Sequence, residues 1–278
     1  MNWNWPNNKR MAAMFAFDLD AETMWEDDFG HCDHITDLSR GTYGVVQGMP
    51  RILNACAKHG VKATFFIPGT IAVRYPEVVK EVVASGHEIG YHGYHHHSDP
   101  HRDREHADML MVEHFIEDLT GFRIVGQRSP LGSVYDYTLP LFLEHKYIYS
   151  SNWRNSDGPF IHKINGIEVP LVELPKDSIF DDTGYDLYLD HLETGGWHWD
   201  NLRSGRDFVQ IWQDEFDALA EEGRMINFVL HPQCIGRVSR INALEHLMGY
   251  MKEQGAWLET NGNVARHVLR QAGFEVNV

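Results

Sequence analysis

The chain has 278 residues, of which 43% are hydrophobic and 12% aromatic, enough to bury a sizeable core. Its 24 basic and 40 acidic side chains give a formal net charge of −16. A surface of that sign repels nucleic acid and anionic membranes, so neither is an expected partner and a neutral or cationic small molecule fits better.

The first apolar run, MAAMFAF (11–17), reads as a buried strand. It is short and ends in acids rather than at a small-residue cleavage site, which is not the pattern of a secretory leader, and a cytoplasmic protein is expected. GVVQGMPRILNACAKHG (44–60) has helical spacing at Val46, Ile52, Leu53 and Cys56 and closes at Gly60. A strand over 61–68, a helix over 75–86 with proline near its start, and a strand over 87–92 follow. A long amphipathic helix over 103–121 leads to a strand over 122–128, and a short helix over 137–147 is expected to break near Pro140. Next come a strand over 168–175, a helix over 207–223, a strand over 225–232 and a helix over 240–254. A strand over 256–260 and a helix near 262–272 complete the series. No stretch approaches the roughly 18 apolar residues of a membrane span. Cys32, Cys56 and Cys234 are too few and too scattered for a disulfide framework.

This repeated strand-then-helix order, with nearly continuous apolar strands, predicts an α/β fold with a mostly parallel sheet. Seven or so units fit a barrel better than an open sheet. The stretch 151–206, rich in Asp, Gly and Trp, is expected to hold long functional loops. No repeat or linker interrupts the chain, so residues 1–278 read as one domain.

Polar residues gather where the predicted strands end. FDLD gives Asp18 and Asp20, GYHGYHHH gives His92, His95, His96 and His97, and GQRSP gives Arg128. VELPKDSIFDD gives Glu173, Asp181 and Asp182, and VLHP gives His231. In parallel α/β folds these ends share one face, where active sites lie. Packing alone does not explain five such ends, because buried charge is costly unless paired. Asp18 and Asp20 fall on the same side of their strand or the loop beyond it. Two adjacent carboxylates repel unless a cation or proton intervenes, and a metal on one with the other free as a base resolves the conflict. A solvated strand end is the blander reading. His92 and His96 are four apart with Gly93 between them, a spacing that lets two imidazoles converge on one ion. His95, His97 and His101 are expected to be loop residues. His31, Cys32 and His34 in FGHCDH lack the second half of a structural zinc site, and Trp197, His198 and Trp199 in GGWHWD read as a pocket wall or subunit contact.

Taken together, FDLD, GHEIGYHGYHH, GQRSP, VELP with DD, and NFVLHP resemble, in that order, the motifs of the polysaccharide deacetylase family over residues 15–271. The resemblance implies a distorted (β/α)7 TIM-like barrel with Asp18 as base. Asp20, His92 and His96 would be metal ligands, Arg128 the residue that orients the base, and His231 the general acid. It also implies one divalent ion per chain, usually zinc, with cobalt, nickel or manganese as alternatives. Three features depart from typical sugar deacetylases: the two aspartates are separated by Leu19, no aromatic follows the proline of GQRSPLG, and LSRGTYG (38–44) is additional. These look like the subgroup that holds cyclic imide hydrolases, allantoinase-like proteins and a peptidoglycan-deacetylase-like protein. The allantoinase branch loses the metal ligands, whereas this sequence keeps all three. That subgroup implies a homotetramer and an enclosed site for a small molecule. The expected activity is therefore metal-dependent hydrolysis of a C–N amide bond in a small cyclic imide, ureide or related amide. N-deacetylation of an amino sugar in a polysaccharide or oligosaccharide is the second reading, and a non-catalytic ligand-binding protein on this fold the third.

Overall fold

The computed structural model describes residues 3–28, 30, 33–185 and 203–276. Its elements begin with β1 (Ala12–Met14), β2 (Ala16–Asp18), α1 (Ile35–Tyr43), α2 (Met49–His59), β3 (Thr64–Ile67), α3 (Gly69–Arg74) and α4 (Pro76–Ala84). They continue through β4 (Glu88–Tyr91), α5 (Arg102–Thr120), β5 (Gly126–Gln127), α6 (Thr138–Glu144), β6 (Tyr149–Ser150), β7 (Phe160–Ile164) and β8 (Ile167–Glu173). After the undescribed stretch come α7 (Gly205–Glu221), β9 (Met225–Asn227), α8 (Pro232–Ile235), α9 (Val238–Glu253), β10 (Trp257–Leu258) and α10 (Asn261–Gln271). Among the described residues no helix is long and apolar enough to cross a membrane.

The strands run β2-β3-β4-β5-β6-β8 in parallel, and β9 returns beside β1 with Ala12 opposite Met225 and Met14 opposite Asn227. Phe17 opposite Leu230 continues that register, and Asp181 bridges to Val229, so the sheet closes on itself as a seven-unit barrel. The first strand changes partners on its other edge. Its lower half pairs with β10 and its upper half with β3, so the predicted strand 11–17 appears as two pieces around Phe15. The alternation of its side chains survives the change. Met11, Ala13, Phe15 and Phe17 join one apolar cluster with the surrounding helices, and Ala12, Met14 and Ala16 join another with Phe66, Tyr149 and Val172. Asp18 continues the second series and so points inward.

Several expectations are corrected here. The helix expected over 44–60 extends back to Ile35 through a π-helical turn at Gly44–Gly48. Pro140 does not break α6; it lies in the first turn, where its missing N–H is not needed. The irregular stretch after 151 contains β7, which is antiparallel to β8. Where α7 starts, Ser204 and Asp207 form a reciprocal capping box. At the opposite end of the barrel from the strand C-termini, α10 acts as a plug: the Asn261 N–H donates to Thr64 and the Gly262 N–H to buried Glu88.

Candidate active site

Asp18 ends β2, His92 follows β4, Arg128 follows β5, and His231 ends the stretch after β9, all on one end of the barrel. Asp18 Oδ1 accepts from Arg128 at 2.7 Å. Arg128 is fully buried, and its remaining donors reach Ser151 Oγ, Asn227 Oδ1 and the Phe228 carbonyl. Its guanidinium lies 4.5 Å from the Phe66 ring centroid. Burial alone would raise the Asp18 pKa, but Arg128 foremost outweighs it and holds the carboxyl below its ordinary value.

Asp20 Oδ1 lies 3.3 Å from His92 Nε2 and 3.4 Å from His96 Nε2. His92 Nδ1 is 2.6 Å from the Arg128 carbonyl, which can only accept, so this nitrogen carries the proton and Nε2 presents a lone pair. His96 Nδ1 is likewise held by Asp28 Oδ2 at 2.8 Å. Both Asp20 oxygens and His92 Nε2 are buried without a hydrogen-bond partner. Such a convergence of acceptors in a buried place is stabilised by a cation between them. A proton on His96, whose pKa is raised to about 8 against burial by Asp20 and Asp28, serves the same end when no ion is bound. In a tetrahedral set with bonds of about 2.0–2.1 Å, ligand atoms stand about 3.3–3.4 Å apart, which is the distance of Asp20 Oδ1 from each histidine. Asp20, His92 and His96 therefore fit a small divalent ion. Burial opposes the Asp20 carboxylate, yet His96, His92 and His231 together push its pKa down.

The loop between the two histidines depends on Gly93, whose φ is 78°. A Cβ there would stand 2.3 Å from the His95 carbonyl oxygen, so glycine alone lets the chain turn His96 back onto His92. His95 and His97 are exposed and stack on each other with ring centroids 5.7 Å apart.

His231 Nε2 faces the other Asp20 oxygen at 3.5 Å, and its Nδ1 is 2.7 Å from Asp182 Oδ1. The His231 backbone N–H also donates to Asp182. Burial disfavours the imidazolium, but Asp182, then Asp181 and Asp20, raise its pKa to about 10. Burial raises that of Asp182. Asp181, Asp182 and His231 make a second group of close potential ligands, but here the Asp182 oxygen faces a nitrogen that already shares a proton with it.

These groups open on a cavity of about 270 Å³, with Met24, Leu131, Lys176 and Thr183 in its wall. Glu173, also at a strand end, takes no part. It accepts from the Asn152 and Trp153 N–H groups and pairs with His162 Nε2 at 2.9 Å. His31, Cys32, Trp197, His198 and Trp199 lie outside the described residues.

Three contributors are not evident in the sequence. Asp27 and Asp28 come down on His96 from a π-helical turn, Met24–Asp28, one holding its backbone N–H and the other its ring. Lys176 reads as an ordinary loop charge but is buried in the cavity wall. The LSRGTYG segment lies in the helical run 35–59. A Cβ on Gly41 would sit 2.4 Å from the Ala21 carbonyl oxygen, and one on Gly48 2.3 Å from that of Pro232. Bare backbone lets this run lie directly on the chain just after Asp20 and just after His231.

A barrel carrying a buried Asp-His-His group between an arginine-held carboxylate and a carboxylate-held histidine has the donors and acceptors that hydrolysis calls for. The polysaccharide deacetylase family matches over residues 41–149, which include His92, His96 and Arg128. A peptidoglycan deacetylase of Helicobacter pylori is 26% identical over 95% of this chain and 98% of its own. A solved structure of a polysaccharide deacetylase from Mycobacterium smegmatis, 28% identical, covers all of this chain and 96% of that one with a TM-score of 0.88. The allantoinase PuuE, 24% identical, covers 99% of this chain and 95% of its own with a TM-score of 0.82 and speaks for the fold. The chain is similar in sequence and in fold to the polysaccharide deacetylase family, whose described members are hydrolytic enzymes.

Proposed function

We propose that the chain is a metal-dependent hydrolase of a non-peptide C–N bond, acting on a small cyclic imide, ureide or related amide. The observation that carries this reading is the size of the cavity, about 270 Å³, onto which Asp18, His92, His96 and His231 all open. That is near the lower end for small-molecule sites, roughly 300 Å³, and suits a single ring better than a polymer. Asp20, His92 and His96 would hold the ion, with zinc favoured by the tetrahedral spacing of the donors. When bound, such an ion supplies Lewis-acid polarisation of the scissile carbonyl. Asp18, kept ionised by Arg128, takes the proton from the attacking water. His231, kept protonated by Asp182, delivers a proton to the leaving nitrogen, which departs poorly without it.

A second reading has its own support. The full-length relative from Helicobacter pylori is described as a peptidoglycan deacetylase, and the same residues would serve to remove an acetyl group from an amino sugar. Turnover of succinimide, hydantoin and dihydrouracil, set against chito-oligosaccharides, separates the two. Hydrolysis of any of the three rings with none of the oligosaccharides supports the first reading. The reverse pattern replaces it with the second.

A further inference from the structure

Lys176 follows β8 by three residues, in the seam between β8 and β9 where Asp181 opposite Val229 is the pairing that closes the barrel. Its side chain lines the 270 Å³ cavity on one side and a second cavity of about 220 Å³ on the other. It is only 9% exposed, and its ammonium has no hydrogen-bond or ion-pair partner among the described residues while keeping access to the cavity. The other buried cation of the site, Arg128, is fully occupied by Asp18, Ser151, Asn227 and the Phe228 carbonyl. A buried ammonium is costly unless something accepts its donors. The nearby carboxylates do not reach it: Asp18 turns Oδ1 to Arg128 at 2.7 Å and Asp181 turns Oδ1 to the Thr183 N–H and hydroxyl, and neither makes an ion pair with the lysine. The unmet donors therefore face the space that a substrate fills.

We propose that Lys176 is a specificity-determining residue that donates to a second acceptor oxygen of the substrate while the scissile carbonyl lies at Asp20, His92 and His96. The substrate is thus an amide that carries either a carboxylate or a second carbonyl near the bond to be cut, as an imide does. This deepens the small-amide reading and rests on it. Burial, and next Arg128, pull the lysine pKa below its ordinary value, the direction expected of a cation with no partner of its own.

The test is equilibrium binding to the protein loaded with the divalent ion it purifies with, in two matched sets. Malonate, succinate and glutarate are compared with propionate, butyrate and valerate, and succinimide with 2-pyrrolidinone, which lacks the second carbonyl. One diacid, or succinimide, is expected to bind roughly 10–100-fold tighter than its match, as one charge-assisted hydrogen bond provides. Lys176→Met removes that gain while metal content and the affinity of the matched ligand stay as in the wild type, and Lys176→Arg keeps part of it. A gain among the diacids identifies a carboxylate, and a gain for succinimide a neutral carbonyl. No gain in either set, or a gain that survives in Lys176→Met, overturns the assignment. If the gain depends on Lys176 but only chito-oligosaccharides are turned over, the small-amide reading falls and the lysine assignment stands.

Discussion

The two flanks of the Asp20–His92–His96 group are built from the same materials and behave in opposite ways. On one flank a buried carboxylate, Asp18, meets Arg128; on the other a buried carboxylate, Asp182, meets His231. A guanidinium does not titrate, so Asp18 is locked as an anion and can only accept a proton. An imidazole does titrate, so the charge of Asp182 is spent on keeping His231 protonated and able to donate. On the proposed mechanism, the partner cation, rather than the carboxylate, sets the direction of proton flow at each flank.

Exchanging or removing those partners tests this. The largest effect is expected for Asp18→Asn, which loses roughly 10²–10⁴-fold in kcat, the usual scale for a positioned base, with metal content unchanged. Near wild-type turnover in the metal-loaded variant would remove Asp18 from the mechanism. Asp182→Asn should cost less, roughly 10–10²-fold, because His231 remains but is less readily protonated.

The pH–rate profile sharpens the contrast. As the proposed acid, His231 would work while protonated, that is, below its pKa of about 10, so activity is expected to fall as pH rises through that value. A divalent cation on Asp20 opposes the imidazolium and brings this alkaline limb down, and Asp182→Asn brings it down further. As the proposed base, Asp18 would work while ionised, above a pKa already below its ordinary value, so no acid limb from Asp18 is expected in the wild type across the ordinary carboxylate range. In Arg128→Met burial acts unopposed by the guanidinium, and an acid limb should appear and move up in pH. An unchanged profile in both variants breaks the comparison.

Asp28→Asn leaves both flanks intact and weakens the hold on His96; metal affinity should fall by about 10–100-fold in a competitive chelator titration. The smallest effect is expected for Gly44→Ala. Its Cβ would stand 2.9 Å from the Gln233 backbone nitrogen, and such overpacking costs about 1–3 kcal/mol, read as a lowered Tm. Because Gln233 follows His231 closely, the alkaline limb should respond before any change attributable to Asp18.

Much of this site was legible because strand ends converge in a parallel barrel. Alternation put Asp18 and Asp20 on one side, the H-x-x-x-H spacing with Gly93 allowed His92 and His96 to converge, and each histidine lies within 3.4 Å of Asp20. What escaped depended on burial and on departures from regular helix. Asp28 reaches His96 across 68 residues only because a π-helical turn redirects it. Lys176, in ELPKDS, carries no pattern that distinguishes a wall residue from a solvated one. Glu173 was misleading for the converse reason: a strand-end acid can be consumed by neighbouring backbone N–H groups. β7 was missed because FIHKI mixes polar and apolar residues, and its pairing comes from the hairpin with β8.

Arg128 performs two tasks with different parts of itself. Its side chain fixes Asp18, and its backbone carbonyl fixes the proton on His92. Substitution at this position can delete only the first, since every amino acid brings the same carbonyl. The two tasks therefore differ in heritability. On the proposed mechanism, a lineage drifting toward a new reaction could discard the base's partner in one step and still keep His92 ordered, so a chain of this kind could change its proton chemistry without first giving up its candidate metal ligands.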